Sequence, residues 1–68
     1  MPYEIGYAPR GDRRVRTTQK PTARDALKTA QALIASDEEI RHIKSPYGGE
    51  IGMGELALEA EREEAANP

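Results

Sequence analysis

The spacing of apolar residues changes along this chain, and that change most restricts the fold it can adopt. From residue 2 to residue 8, Tyr3, Ile5 and Tyr7 occupy every second position. Alternation with a period of two is typical of a strand that has one buried face. Residues 2–8 are therefore predicted to form a strand.

A second alternating segment follows a short turn. Pro9 fixes its own φ angle and Gly11 permits a positive φ, so the chain can reverse direction there. The segment 13–20 then alternates again, and its β-branched residues favour a strand. Val15 and Thr17 are predicted to face the core of the resulting hairpin. The opposite, outward face is predicted to carry Arg14, Arg16 and Thr18.

An alanine-rich segment with helical spacing comes next. Thr22, three residues before Asp25, predicts an N-terminal cap, so a helix is expected to begin at Ala23. Ser36 and Asp37 are predicted to end it. Apolar residues recur at intervals of three and four, which places them on one helical face. They are Ala23, Ala26, Leu27, Ala30, Leu33 and Ile34.

The segment 39–44 is predicted to be a third strand, although its apolar residues do not alternate. Ile40 and Ile43 are three positions apart rather than two. A strand is still favoured, because six residues between a helix end and the turn at 45–49 are too few for a stable helix.

A second helix is predicted after the glycine-rich segment 48–54, and it is expected to end after Arg62. Leu58 lies well away from the apolar stripe of this helix. The stripe consists of Met53, Leu56, Ala57 and Ala60.

These elements predict an α+β fold in the order strand, strand, helix, strand, helix. With the third strand beside the first, the sheet is antiparallel with strand order 2-1-3, and both helices cover one face. We expect one compact domain over residues 1–62 and a mobile C-terminal tail over residues 63–68. A strand, an alanine-rich helix and a strand leading into a Gly-Gly turn resemble several short bacterial families, which implies a bacterial-type domain and assigns no activity to any residue.

The composition argues against catalytic and metal chemistry. The chain has no cysteine and one histidine, His42, so it offers neither a thiolate nor a histidine-rich metal site. His42 is interpreted as a surface or sheet-edge residue, because the sequence shows no nucleophile or orienting carboxylate to accompany it. We expect no enzyme activity, no metal and no cofactor. The chain has no apolar run of membrane length and no signal-peptide pattern, so we expect a cytoplasmic protein without a membrane partner.

Charge is distributed unevenly along the chain. Residues 1–28 hold seven basic against three acidic side chains, whereas residues 29–68 hold three against nine. A basic hairpin can contact nucleic-acid phosphates, but charges on an edge strand also prevent aggregation and can pair with the acidic half. The candidate nucleic-acid contacts are Arg10, Arg13, Arg14, Arg16, Lys20 and Arg24.

The function we expect is a non-catalytic accessory module that binds a protein partner or a second copy of itself as a homodimer. So thin a core gains from burial against a partner, and Leu58 is the candidate protein contact. Nucleic-acid binding through residues 10–24 is the alternative. Anion binding at the segment 48–54 is a weaker third hypothesis, because that segment lacks the lysine of a P-loop, and Glu50 and Glu55 would repel an anion.

Overall fold

A computed structural model of the chain describes residues 2–47 and 49–66. The α+β class predicted from the sequence is confirmed. The structure contains four strands and two helices in its described part. They are β1 (Tyr3–Pro9), β2 (Arg16–Lys20), α1 (Ala23–Ala35), β3 (Glu38–Ser45), β4 (Gly49–Glu50) and α2 (Met53–Ala66).

The strands form one antiparallel sheet in the order β2-β1-β3-β4. The predicted order 2-1-3 is confirmed, and β4 adds a short fourth strand beside β3. The sequence did not predict β4, since two residues are too short to show alternation. Gly49 has a φ of 83°, a left-handed conformation that glycine adopts without strain, and it pairs with Ser45 as the chain returns along β3.

A β-bulge in β3 explains the irregular isoleucine spacing. Ile43 lies opposite Ile5, and Ile40 lies opposite Tyr7, because the register between β1 and β3 shifts by one residue. Arg41 is the additional residue on β3 at this shift. The bulge therefore returns Ile40 to the same side of the sheet as Ile43, and both isoleucines contact the core.

The predicted orientation of β2 is wrong. Thr18 pairs with the buried Ile5, so Thr18 lies on the helix-covered side of the sheet, together with Arg16. Thr17 pairs with Gly6 and points to the uncovered side. The two faces are therefore exchanged relative to the sequence prediction.

The connection between β1 and β2 accounts for this exchange. Residues 10–15 lie outside both strands, so alternation in β2 starts at Arg16 rather than at Arg13. Val15 belongs to the connection, and its side chain is 49% exposed. A one-residue change of register moves every side chain of a strand to the other face, which periodicity alone cannot detect.

Helix α1 begins and ends where the sequence predicts. The Asp25 N–H donates to Thr22 Oγ1 at 3.2 Å, which confirms the N-terminal cap. At the other end, Asp37 has a φ of 66°, and its N–H donates to the Ile34 carbonyl at 3.1 Å. This left-handed residue turns the chain out of the helix and into β3.

The apolar face of α1 is confirmed except at its last turn. Ala23, Ala26 and Ala30 are buried, and Leu27 and Leu33 are half-buried against the core. Ile34, which the spacing places on the same face, is 51% exposed. Full burial ends at Ala30, and beyond it only Leu33 contacts the core, so the last turn of the helix lies at the margin of the core.

The core between the sheet and the helices combines a few large side chains with small ones. The alanines of α1 allow its backbone to approach the sheet closely, while the large residues fill the volume on the sheet and on α2. The largest fully buried side chains are those of Tyr3, Ile5, Ile43 and Leu56.

Helix α2 continues to Ala66, so the prediction that it ends after Arg62 is wrong. Glu63 is half-buried and accepts hydrogen bonds from the first turn of α1, which gives the added turn a tertiary contact. The predicted mobile tail included Asn67 and Pro68, which lie outside the described residues.

Two leucines of α2 allow a matched test of this packing. Leu56 is fully buried, whereas Leu58 is 52% exposed. We expect Leu56→Ala to reduce the free energy of unfolding by about 2–5 kcal/mol, because it leaves a cavity in a small core. Leu58→Ala should change it by about 0.5 kcal/mol or less. Urea denaturation measures both, and equal losses would contradict the orientation of α2.

Candidate functional site

A hydrogen-bond network around Glu59 joins the sheet to α2. The Tyr3 hydroxyl donates to Glu59 Oε1 at 2.5 Å, and Ser45 Oγ donates to the same oxygen at 3.3 Å. Burial raises the pKa of the Tyr3 hydroxyl above its usual range, and the hydrogen bond and negative charge of Glu59 add to that effect. Tyr3 therefore stays a protonated donor, and one carboxylate connects β1, β3 and α2.

This network also positions an exposed aromatic ring. The Tyr47 N–H donates to Ser45 Oγ at 3.1 Å. The Tyr47 ring lies edge-to-face with the Tyr3 ring, with 6.4 Å between centroids and 75° between planes. Tyr47 is nevertheless 82% exposed. The ring is thus oriented by buried groups while most of its surface faces solvent.

Tyr47 borders a groove between the start of α1 and the end of α2. The groove consists of two adjoining cavities of about 560 and 380 Å³, which share Tyr47, Glu63 and Ala66 in their linings. We call this feature the Tyr47 groove. Its lining also includes Tyr3, Pro21, Thr22 and charged side chains of both signs. The charged side chains are Arg24, Asp25, Lys28, Glu59 and Arg62.

Glu63 closes the helical end of the groove. Its Oε2 accepts the Ala23 N–H at 2.6 Å, and its Oε1 accepts the Arg24 N–H at 3.2 Å. These are two of the N–H groups that a helix leaves unpaired in its first turn, where the helix dipole also favours a negative charge. Glu63 therefore attaches the last turns of α2 to the first turn of α1.

The structure divides the predicted basic residues into two sets. Arg10 lies 4.0 Å from Asp37, and Arg24 lies 4.0 Å from Glu64, in exposed ion pairs. The charged side-chain nitrogens of the other four have no carboxylate oxygen within 4.0 Å among the described residues. They follow one another along the β1–β2 connection and β2, and we call them the basic edge: Arg13, Arg14, Arg16 and Lys20.

The connection that precedes β2 is tied to the rest of the sheet. Asp12 Oδ1 accepts the Arg14 N–H at 3.0 Å, and the Asp12 carbonyl accepts from Arg41 Nη2 at 3.0 Å. Arg41 is the bulge residue of β3, so the bulge directs its side chain toward the connection. The basic edge therefore starts from an anchored turn.

His42 lies on the uncovered face of the sheet and contacts a carboxylate that the sequence did not reveal. Its Nε2 is 3.1 Å from Glu4 Oε2, and both side chains are partly exposed. The imidazole lies over Gly6, where a Cβ atom would come within 2.1 Å of His42 Cε1. The β1–β3 register brings these three residues together, and that register was not predictable from local spacing.

The remaining candidates occupy separate places. Leu58 lies exposed on α2, away from the buried Leu56 and Ala60. Of the glycine-rich segment, Gly48 lies outside the described residues, and Glu55 occupies the first turn of α2. Within residues 2–47 and 49–66, the structure shows no group of three His, Cys, Asp or Glu side chains placed to hold a metal ion.

Sequence reasoning missed Tyr47, because it belongs to a turn and to no periodic apolar face. Neither helix of the described chain is long and apolar enough to cross a membrane. No protein-family model, curated protein or solved structure matches the chain. Function is therefore inferred from the geometry of the residues themselves.

Glu63 and Glu64 provide a matched test of the helix attachment. We expect Glu63→Ala to lower the free energy of unfolding by about 1–2 kcal/mol, because two N–H groups of α1 lose their acceptor. Glu64→Ala should lower it by about 0.5 kcal/mol or less, since its ion pair with Arg24 is exposed. Chemical denaturation of both variants gives the comparison, and equal effects would show that Glu63 does not cap α1.

Proposed function

We propose that this chain is a non-catalytic accessory module that binds a protein partner or a second copy of itself, and that the Tyr47 groove is its contact surface. The observation that supports the proposal most strongly is the ring of Tyr47, which is 82% exposed yet oriented by Tyr3 and Ser45. Tyrosine is enriched among the residues that dominate protein interfaces.

The fixed positions of Tyr47 and of the helix ends beside it add support to the proposal. Tyr47 has its backbone bonded to Ser45 and its ring against Tyr3, so binding would require little further ordering of this side chain. The groove beside it is formed by two helix ends that Glu63 joins. An aromatic anchor next to a concave surface with charged margins is a common arrangement in protein recognition.

Leu58 is proposed as a second, peripheral contact. It is 52% exposed on α2, the same helix that supplies Glu63 and Ala66 to the groove. A partner that covers the groove and extends along α2 would bury this leucine and gain from removing its surface from water. The proposal also assigns the module to the cytoplasm, as expected from the sequence.

Nucleic-acid binding through the hairpin is the second candidate function. The observation in its favour is the basic edge, whose four cationic groups form no ion pair within 4.0 Å among the described residues. Duplex binding of this kind weakens with added salt. A plot of the logarithm of the binding constant against the logarithm of the salt concentration falls with a slope of about 0.9 for each phosphate contacted. The acidic net charge of −2 and the burial of Tyr3 weigh against it.

Replacement of the exposed ring tests the first proposal. We expect Tyr47→Ala to abolish either self-association in sedimentation velocity or retention of a specific protein in affinity capture from the source cells. Gln31→Ala, an exposed change on α1, should retain the wild-type behaviour. Circular dichroism checks that each variant is folded.

The proposal fails if the wild-type chain stays monomeric at high concentration and retains no protein that Tyr47→Ala loses. It also fails if Tyr47→Ala and Gln31→Ala give the same sedimentation profile and the same captured proteins as the wild type.

A further inference from the structure

The outer edge of β2 is an unpaired strand edge. Among the described residues, strand β2 is the last strand on its side of the sheet, and it pairs only with β1. Within the described residues, the backbone of 16–20 makes no hydrogen bond outside that ladder. Alternate residues of an edge strand direct N–H and C=O groups outward, and these groups can pair with another extended chain.

The side chains of the basic edge are all cationic, and the neighbouring carboxylate of Asp12 accepts the Arg14 backbone N–H. Arg13, Arg14 and Arg16 are exposed, Lys20 is half-buried, and none of their charged side-chain nitrogens lies within 4.0 Å of a carboxylate oxygen in the described part of the chain. Within the described residues, ion pairs therefore form at Arg10 and other cations, but none forms at the four side chains of the basic edge. A segment that pairs here is attracted to these cations if it carries negative charge, and it lacks that attraction if it is neutral or basic.

The register along β2 sets where that charge belongs. Arg16, Thr18 and Lys20 lie on the helix-covered side of the sheet, opposite Tyr7, Ile5 and Tyr3 in turn. An added strand would place its own same-side residues beside these three. Two carboxylates on the added strand, with three residues between them, would therefore lie beside Arg16 and Lys20.

Pairing with β2 of a second copy is electrostatically unfavourable in the symmetric register centred on Thr18. Antiparallel pairing of two β2 strands about a two-fold axis at Thr18 would place Arg16 of each copy opposite Lys20 of the other. Like charges directly opposite each other destabilise a strand pair. The basic edge therefore disfavours a homodimer formed through β2 in this register.

We propose that β2 binds an extended acidic segment of a partner protein by strand addition, with carboxylates of that segment beside Arg16 and Lys20. The backbone groups of β2 supply hydrogen bonds, and the cations select the charge of the added strand. This inference shares with the proposed function the premise of protein binding. It concerns a different surface, the outer edge of β2, which meets the Tyr47 groove only at its Lys20 end, beside Tyr3 and Pro21.

Nucleic acid is the other polyanion that four cations could attract. The strand edge favours a peptide, because a phosphate backbone cannot complete a β-ladder with alternating donors and acceptors. The β2 strand itself carries no aromatic side chain for base stacking. Oligonucleotides therefore belong in the test as competitors.

A capped decapeptide of alternating threonine and glutamate is the probe, titrated into isotope-labelled chain at low ionic strength. We expect amide shift changes concentrated in residues 16–20. A peptide of equal charge with three threonines replaced by proline lacks the required N–H groups and should bind about tenfold more weakly. An alternating threonine-lysine peptide should cause no shift.

Arg16→Glu and Lys44→Glu make the same change of charge at different strands. Arg16→Glu should weaken the affinity of the chain for the acidic peptide by about tenfold. Lys44→Glu lies on β3, outside the basic edge, and should change its affinity by about twofold or less. Matching circular dichroism spectra establish that both variants are folded.

Three results would overturn strand addition at β2: no binding of the acidic peptide, equal binding of the proline peptide, or binding of a DNA duplex or deoxythymidine decamer in preference to the peptide. Tyr47→Ala separates this inference from the proposed function. If that variant loses its protein partner while the acidic peptide causes no shift at β2, only the inference about β2 fails.

Discussion

The carboxylate of Glu59 is the group through which the second helix joins the sheet. It accepts from Tyr3 on β1 and from Ser45 on β3, and both donors are buried. A buried hydroxyl without a partner would lose stability, so the position of α2 is constrained by the need to satisfy both donors. Leu56, three residues earlier, adds its apolar surface to the core. Polar and apolar contacts therefore specify one orientation of α2.

The exposed surface follows from that orientation. Because Ser45 is fixed by Glu59, it can accept from the Tyr47 N–H, and Tyr3 offers its ring to Tyr47. One helical turn further, Glu63 caps α1 and closes the groove beside the ring. The basic edge depends on other contacts, in which Arg41 anchors the connection before β2. The two proposed surfaces thus depend on different contacts, although they adjoin where Lys20 pairs with Tyr3.

Local patterns in the sequence predicted the element types, the strand order of the three main strands and the cap at Thr22, because these depend on periodicity and short-range hydrogen bonds. The faces of β2 were not predictable, since the length of the β1–β2 connection sets the register. The end of α2 was missed for a similar reason. Glu63 is not apolar, so periodicity does not assign it to the helix. It stabilises the last turns of α2 through a hydrogen bond from Ala23, forty residues away. The orientation of Tyr47 was not predictable either, because it depends on contacts with Tyr3 and Ser45 that form in the folded chain.

A double-mutant cycle between Tyr3 and Glu59 tests the central claim most directly. Tyr3→Phe removes the donor, Glu59→Leu removes the acceptor, and the coupling energy is obtained from urea denaturation of the two single variants, the double variant and the wild type. Since a buried hydrogen bond to a carboxylate contributes about 1.5–3 kcal/mol, the two changes should be coupled by about that amount. Additive effects, with a coupling energy below about 0.5 kcal/mol, would contradict the claim that Glu59 joins α2 to the sheet through Tyr3.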